Sequence, residues 1–182
     1  MRIVVTGATG FIGSRLVEAL VKRQDELILI SRSRHLNVPW SSKVRHVVWN
    51  PADELEIVSE IDGSQAVIHL AGEPLAKGRW SRKKKSKLLD SRVRTTQMIA
   101  NSIKHAGLKP KVLINASAVG YYGPRESEWL QEETRSGGDY LAQVCQAWES
   151  HAVRIEDLDV RVVRLRIGIV LGKEGGALSM MA

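Results

Sequence analysis

A hydroxyl at a strand end and a phenol further along the chain could do chemistry on a carbonyl or an alcohol. Ser117 closes the apolar run that begins at Val112, and Tyr140 follows 23 positions later, where a helical pattern begins. A phenol held beside a serine can pass a proton to or from a substrate oxygen while a nicotinamide exchanges a hydride. We therefore predict Ser117 and Tyr140 as catalytic residues.

The phenol of such a pair needs a nearby cation, because its ordinary pKa of about 10 is too high for proton transfer near neutral pH. The residue one helical turn after Tyr140 is Val144, and no lysine occurs between Lys111 and Lys173. The sequence therefore predicts no ammonium partner on this helix, which leaves a non-catalytic role open.

Three glycines spaced Gly-x-x-Gly-x-x-Gly stand between the first apolar strand and an amphipathic helix. Gly7 permits a sharp turn, Gly10 lets the backbone approach a phosphate, and Gly13 allows close packing of helix on strand. The start of the helix offers unpaired N–H groups to an anion. We predict a dinucleotide pyrophosphate site at Gly7, Thr9, Gly10, Phe11, Ile12 and Gly13. A glycine-rich turn of some other α/β protein is the alternative.

The end of the second predicted strand indicates which dinucleotide would bind. An acidic residue here would accept hydrogen bonds from the ribose of NAD, but the chain has Ser31 and Arg32, with Arg34 close by. Guanidinium groups pair well with phosphate, so we predict NADP (NADPH) as the cofactor, bound by Ser31 and Arg32. The alternative is that the arginines only face water.

The end of the fourth predicted strand carries small residues that would let a cofactor lie against the backbone. We predict Leu70, Ala71 and Gly72 as cofactor contacts. His69 lies within the apolar strand and is expected to be a core histidine. It has no partner cluster in the sequence, so we expect no metal site.

Near-continuous apolar strands alternate with amphipathic helices along the chain. Strands are predicted at about 2–6, 26–31, 44–49, 65–71, 111–116 and 159–166, and helices at about 11–23, 81–106 and 138–156, with a short one near 52–61. This alternation predicts an α/β fold with a doubly wound parallel sheet, a Rossmann-type NAD(P)-binding domain. Ligands of such folds bind at the carboxyl ends of the strands.

Composition narrows the class of protein. The 182 residues are 43% hydrophobic and 26% charged, as expected for one soluble domain. The single cysteine, Cys145, favours a reducing compartment, and no apolar run reaches the ~20 residues of a membrane span, so we expect a cytoplasmic protein without a membrane partner. The net charge of +7 suits an anionic cofactor. The basic run Arg82–Lys87 is expected to be a solvated helix face rather than a nucleic-acid site.

With these residues together, the chain resembles the extended and atypical short-chain dehydrogenase/reductase superfamily, in particular its epimerase family sometimes named after a cell-division inhibitor. The matching segments are Thr6–Gly13, His69–Leu75, Arg79–Trp80, Ser91–Arg92 with Thr95–Gln97, Ser117–Gly123, Tyr140–Leu141, Trp148–Glu149 and Leu165–Gly172. The resemblance implies an NADP-binding domain with the 2′-phosphate at Arg32, and we add Arg92 to the cofactor-binding residues. The superfamily's catalytic lysine would fall on Val144.

The resemblance also implies a second lobe that closes over the substrate. Residues 1–182 would be the NAD(P)-binding domain, and a helical pattern that begins after Gly176 would continue into the lobe. We therefore expect a chain cut short of that lobe; a minimal nucleotide-binding domain is the alternative.

Two functions follow from these residues. The first is the cofactor domain of an NADP-dependent oxidoreductase or epimerase with a small-molecule substrate. The second is a non-catalytic NADP(H)-binding sensor or scaffold. A weaker third is nucleic-acid binding through the basic residues 79–87, which would be sensitive to salt. The sequence leaves the oligomeric state open, a homodimer included.

Overall fold

Six parallel strands form one central sheet in the computed structural model, which describes residues 1–34, 43–50, 57–75, 78–172 and 175–176. The strands are β1 Arg2–Thr6, β2 Glu26–Ser31, β3 Val44–Val48, β4 Ala66–His69, β5 Val112–Ala118 and β6 Arg161–Ile167. Their order across the sheet is β3-β2-β1-β4-β5-β6. The predicted doubly wound fold and all six predicted strands are confirmed.

The helices lie in the connections between strands. They are α1 Phe11–Lys22, α2 Val58–Ile61, α3 Arg82–His105 and α4 Tyr140–Val153, with short 3₁₀ helices at Val119–Tyr122 and Glu156–Leu158. Two-residue strands β7 Leu171–Gly172 and β8 Gly175–Gly176 pair antiparallel. The three long predicted helices are confirmed. Residues 52–56 of the short helix predicted near 52–61 lie outside the described residues, as does the pattern predicted after Gly176; α2 coincides with the end of that short helix.

Several element boundaries differ from the prediction by one to three residues, and three of these differences affect the candidate site. β4 ends at His69, so Leu70 and Ala71 lie beyond the strand. β5 continues to Ala118 and carries Ser117 inside the sheet. α4 begins only at Tyr140, because the Asp139 side chain accepts a hydrogen bond from the N–H of Ala142 (2.8 Å) and caps the helix.

The alternating side chains of the strands build a separate core on each face of the sheet. One core lies under α3 and α4 and includes Val4, Ile28, Val67, Leu113, Ile99 and Ile103. The other lies under α1 and includes Ile3, Val5, Leu27, Leu29, Val17 and Ile68. Covering both faces fixes the strand register, because a shift by one residue would exchange the two faces.

The strand order reverses at β1, which pairs with β2 on one side and with β4 on the other. The crossover connections therefore leave this point in opposite directions, and a crevice opens beyond the carboxyl ends of the strands. The predicted site residues at the ends of β1, β2, β4 and β5 all lie along this edge.

Candidate functional site

The turn between β1 and α1 fits tightly against the segment that follows β4. Gly7 has φ +73°, and a Cβ at this position would lie 2.6 Å from the carbonyl carbon of Leu70 and 2.7 Å from the nitrogen of Ala71. A Cβ on Gly13 would overlap the carbonyl oxygen of Gly7 and would lie 2.9 Å from the Cα of Ala8. Both glycines are therefore required by close backbone approach, as the spacing predicted.

The first turn of α1 presents main-chain N–H groups that the helix itself cannot satisfy. Gly10 precedes the helix without a capping side chain, and the first turn contains no acidic residue. The N–H groups of Phe11, Ile12 and Gly13 therefore remain for an external acceptor, with the positive end of the helix dipole behind them. This arrangement fits the pyrophosphate of a dinucleotide.

The ring of Phe11 packs against the β7–β8 hairpin. A Cβ on Gly172 would overlap this ring, and one on Gly175 or Gly176 would approach it to 2.6 or 2.9 Å. Three glycines therefore allow the hairpin to rest on the first residue of α1. The side chain of Phe11 packs against the hairpin, so a cofactor at this turn would contact the main chain of Phe11.

The end of β2 lies beside the glycine turn, because Thr6 of β1 is paired with Ile30. The Ser31 hydroxyl donates to the carbonyl of Ser33 (3.0 Å) and lies 2.9 Å from Nε2 of His46 on β3. Arg32 is exposed. The strand end therefore combines a fixed serine with an arginine that can reach solvent or a ligand.

Ser117 is buried and hydrogen-bonded to a carboxylate of α4. Its hydroxyl donates to Oε1 of Glu149 (2.6 Å), and Arg166 on β6 holds the same carboxylate through Nε and Nη2, each at 2.9 Å. Burial raises the pKa of Glu149, but the hydrogen bonds from Arg166 and Ser117 outweigh it and keep the pKa below its usual range. Glu149 is therefore ionised near neutral pH, and the hydrogen of Ser117 points to it.

Arg166 also organises the turn that follows β5. Its guanidinium lies 3.5 Å from the ring centroid of Tyr121, and Nη1 donates to the Tyr122 hydroxyl at 2.9 Å and to the carbonyl of Glu132. The hydrogen bond to Glu149 raises the pKa of Arg166 further above its usual range. The glycine–tyrosine turn after β5 is thus held by a buried ion pair.

Tyr140 occupies the first turn of α4 and reaches across to α3. Its hydroxyl donates to the carbonyl of Lys85 at 2.5 Å, its ring lies 5.1 Å from the Lys85 ammonium, and Trp80 packs edge-on against it. Burial raises the pKa of Tyr140, and the charge of Arg92 offsets part of that shift. No hydrogen bond joins the hydroxyls of Tyr140 and Ser117.

Arg92 of α3 lies between the end of β4 and α4. Its guanidinium is 5.0 Å from the ring centroid of Trp148, and Nη1 donates to the carbonyls of Glu73 (3.2 Å) and Leu88 (3.0 Å). Burial lowers the pKa of Arg92 but leaves it a cation near neutral pH. The cations near Tyr140 thus come from α3 and not from α4, the helix that carries the phenol and on which the sequence predicted no ammonium partner.

His69 is a buried core residue, as predicted. The Thr95 hydroxyl donates to the carbonyl of Ser91 (2.7 Å), so it accepts a hydrogen bond from Nε2 of His69 (3.2 Å). Nδ1 then accepts from the Thr6 hydroxyl at 2.6 Å. Complete burial, with the charge of Arg92, lowers the pKa of His69 to about 3. A neutral imidazole therefore links β1, β4 and α3.

The basic run at the start of α3 differs in part from the prediction. Lys84 has a side chain only 10% exposed, and its ammonium lies 3.2 Å from Oε1 of Glu73, while that of Lys87 lies 3.2 Å from Oε2. These two lysines hold the segment after β4, so the run is not simply a solvated face. Ser81 caps the helix by accepting a hydrogen bond from the N–H of Lys84 (3.2 Å).

The described part of the chain shows no cluster of three or more side chains suited to a metal ion. Within the same residues, no helix has both the length and the apolar character needed to cross a bilayer.

The structure brings most of the predicted site residues to one edge of the sheet. The glycine turn contacts the Leu70–Ala71 backbone, Arg92 lies beside Gly72, and Ser31 and Arg32 end the neighbouring strand. Ser117 and Tyr140 lie on adjacent elements with separate partners. The contacts of Glu149 and Arg166 with the site were not predicted from the sequence, although both residues fall in segments that carry the family resemblance.

Comparisons with known proteins agree with this geometry. Residues 3–181 match the NAD dependent epimerase/dehydratase family. A relative from Arabidopsis thaliana, the chloroplastic epimerase family protein SDR39U1 homolog, is 42% identical over 190 residues, which cover 100% of this chain and 52% of that protein. The chain therefore spans about half the length of the curated relatives it matches.

Two solved structures share the fold over the full chain. The human epimerase family protein SDR39U1 (isoform 2) with NADPH superposes with a TM-score of 0.83 at 31% identity, and this chain covers 58% of it. The nucleoside-diphosphate sugar epimerase from Corynebacterium glutamicum gives 0.80 at 30% identity, with 36% of that chain covered.

Proposed function

Because the chain belongs to the NAD dependent epimerase/dehydratase family, we propose that it is the NADP(H)-binding domain of an oxidoreductase or epimerase. The reaction would move a hydride to or from a carbon that bears a hydroxyl or carbonyl group. The observation that carries the proposal is the glycine turn, where Gly7 lies against Leu70 and Ala71 and the uncapped start of α1 faces the crevice.

NADP(H), rather than NAD(H), is favoured by the end of β2. Ser31 and Arg32 stand where an acidic residue would repel a 2′-phosphate, and Arg32 is exposed at the edge of the crevice. The human relative was solved with NADPH. A guanidinium fork suits phosphate, and one charge-assisted hydrogen bond contributes roughly 1.5–3 kcal/mol.

The proposed roles at the reacting oxygen fall to Tyr140 and Ser117. Bound nicotinamide supplies the hydride chemistry. Tyr140 holds a proton near neutral pH, because burial raises its pKa, and it can pass that proton to a substrate oxygen. The Ser117 hydroxyl donates its hydrogen to Glu149. Toward a substrate it would therefore act as an acceptor, through the lone pairs of its oxygen, for a hydrogen bond from a substrate hydroxyl.

Cofactor titrations test the first part of the proposal. We expect NADPH to bind more tightly than NADH, measured by nicotinamide fluorescence and by thermal shift. Arg32→Ala should raise the Kd for NADPH about tenfold to a hundredfold and leave NADH nearly unchanged. Arg161→Ala is the matched control, because Arg161 is an exposed arginine at the opposite end of the sheet. Equal affinities for the two cofactors, or equal effects of the two variants, would contradict the choice of NADP.

A second candidate function is a non-catalytic NADP(H) sensor or scaffold. It is favoured by the bond from the Tyr140 hydroxyl to the Lys85 carbonyl, which occupies the phenol proton, and by Val144 in place of a lysine. An assay of cofactor oxidation with diverse ketones and sugars separates the candidates. If the protein is an enzyme, we expect turnover that Tyr140→Phe abolishes. If it is a sensor, we expect cofactor binding but no turnover, both for the unaltered protein and for Tyr140→Phe.

We also propose a reducing compartment, with the cytoplasm as the first choice. The single cysteine, Cys145, is buried, and burial raises the pKa of its thiol, so it is suited to packing and not to disulfide exchange. Imaging of a fluorescent fusion in the source cell tests the location.

A further inference from the structure

The guanidinium of Arg92 is held on one side only. Trp148 lies beneath it at 5.0 Å, and Nη1 donates to the main-chain carbonyls of Glu73 and Leu88 at 3.2 and 3.0 Å. These contacts fix the position of the planar group, yet they use only one of its three nitrogens. No carboxylate of the described residues forms a salt bridge with it.

The remaining edge of the guanidinium, Nε with Nη2, is open. Neither nitrogen has a hydrogen-bond partner among the residues the structure describes, and neither is a fully buried, unsatisfied atom. Glu73 is a neighbour through its carbonyl, but its carboxylate is bound by Lys84 and Lys87, each at 3.2 Å. Because these lysines bind the carboxylate of Glu73, it forms no salt bridge with Arg92. The guanidinium of Arg92 can therefore pair with the anion of a ligand.

Gly72 lies against the flat face of the Arg92 guanidinium. A Cβ at Gly72 would lie 3.4 Å from Nη2 and 3.6 Å from Nε of Arg92, and 3.3 Å from its Cζ. The φ of Gly72 lies outside the left-handed region, so the backbone conformation does not require glycine here. Because Cζ is the nearest atom, the missing Cβ would lie over the plane of the guanidinium and not beyond its Nε–Nη2 edge. Glycine therefore allows this close contact with the face, and Gly72 does not cover the edge.

From this arrangement we infer that Arg92, expected from the sequence to bind the cofactor, is instead an anion subsite, which binds a carboxylate or phosphate of the substrate through its Nε–Nη2 edge. This edge is the fork that engages two oxygens of one oxyanion at once, and its preset position on Trp148 reduces the entropy lost on binding. The inference rests on the proposed function and narrows the substrate class to acidic molecules.

The location places such an anion next to the proposed chemistry. Arg92 and Tyr140 each alter the pKa of the other through their charges, and Gly72 lies in the segment that the glycine turn contacts through Leu70 and Ala71. An oxyanion held at Arg92 would therefore orient the rest of the substrate between the phenol and the cofactor crevice.

Titration of the NADP⁺-loaded chain with malonate, and separately with inorganic phosphate, tests the inference. Binding is followed by the NMR signals of arginine Nε–H groups and by tryptophan fluorescence, to which Trp148 and the other four tryptophans contribute. We expect saturable binding that Arg92→Gln weakens at least tenfold and Arg92→Lys severalfold, while Gly72→Ala weakens it by pressing on the face of the guanidinium and displacing it. Arg94→Gln, an exposed arginine of the same helix, is the matched control and should bind as the unaltered chain does. Stronger binding of malonate or of phosphate identifies which oxyanion the substrate carries.

Each other outcome is decisive. Absence of saturable anion binding, or equal losses in Arg92→Gln and Arg94→Gln, overturns the subsite. Loss of NADPH affinity in Arg92→Gln with unchanged anion binding makes Arg92 a cofactor contact and overturns it as well. If Arg92→Gln does not fold by circular dichroism, Arg92→Lys and Gly72→Ala decide. Failure of NADPH to bind the unaltered chain would refute the proposed function separately, because the anion titration can be repeated without cofactor.

Discussion

Replacing Arg166 by methionine tests whether the buried ion pair behind Ser117 has the strength its geometry indicates. The change removes both hydrogen bonds to Glu149, each 2.9 Å long, and leaves the carboxylate with Ser117 and with Arg164 at 3.8 Å. The Glu149 side chain is only 5% exposed, so water cannot replace the lost donors.

The expected loss is about 3–5 kcal/mol of unfolding free energy at pH 7, the usual result of removing one partner from a buried pair. Arg164→Met provides the matched control. Arg164 is 43% exposed and lies as far as 3.8 Å from the same carboxylate. Its loss should therefore change the unfolding free energy by less than about 1 kcal/mol. Glu149→Gln combined with Arg166→Met should recover much of the loss, because no buried charge remains.

The pH dependence gives the sharper result. In the unaltered protein the folded-state pKa of Glu149 is lowered, so its contribution to stability is present above the unfolded pKa and is lost as the pH falls. In Arg166→Met, burial without the hydrogen bonds of Arg166 is expected to raise that pKa, because the exposed Arg164 at 3.8 Å compensates only in part. As the pH falls from 7 to 5, Glu149 of this variant becomes protonated. The loss of protein stability caused by its buried charge then decreases by up to roughly 1.4 kcal/mol for each pH unit below the raised pKa.

Urea unfolding followed by circular dichroism at pH 5, 6 and 7 measures these differences. We expect the gap between Arg166→Met and the unaltered protein to narrow as the pH falls, and the gap for Arg164→Met to stay constant. A loss equal to that of the control, or a gap independent of pH, would show that Glu149 is already solvated or neutral and would refute the reasoning.

Three further predictions follow from single residues. Gly7→Ala should abolish NADPH binding and destabilise the fold by more than about 1 kcal/mol, because Gly7 has a positive φ and contacts Leu70. Gly138→Ala, where a Cβ would have nothing within 4 Å, should do neither. Equal thermal shifts for the two variants would contradict this prediction. His69 stays neutral with a pKa of about 3, whereas the unfolded imidazole gains a proton below about 6.5. The unfolding free energy should therefore fall as the pH is lowered from about 6.5 to 5, with a slope approaching about 1.4 kcal/mol per pH unit that flattens in His69→Gln. An unchanged slope in denaturant titrations of His69→Gln would count against a neutral imidazole. Ser81→Ala should cost about 1 kcal/mol in urea unfolding and Ser81→Asp close to none; equal losses would argue against capping.

The fold was predictable from the sequence because each part of it depends on a local pattern. Buried strands appear as short apolar runs, and Gly7 and Gly13 mark a turn whose close contacts only glycine allows. The errors in the strands were of one or two residues at their ends, as at β4, which ends at His69 although the apolar run continues and the N–H of Leu70 still donates to the carbonyl of Thr6. Periodicity gives no signal for where pairing stops.

The partners of the catalytic candidates were less accessible to prediction, because they come from distant elements. Ser117 meets Glu149 across 32 positions, and Tyr140 meets Lys85 across 55. A search for a cation along α4 could not find residues that α3 supplies. Charged residues within apolar helical faces, such as Glu149 beside Trp148, were the available signal, since a buried carboxylate requires a cationic partner.

The pairing of β1 with β4 has a consequence for the order in which the molecule forms. Thr6 is aligned with His69, and Gly7 meets Leu70 and Ala71, so the glycine turn acquires its surroundings only after a contact across 63 positions. Such non-local parallel pairing is slow, because loop-closure entropy is lost before native contacts compensate. On the ribosome the turn leaves the tunnel before β4 and lacks these contacts until β4 follows. A dinucleotide is therefore not expected to act as a template for the first βαβ unit, and added NADPH should accelerate only the late steps of refolding.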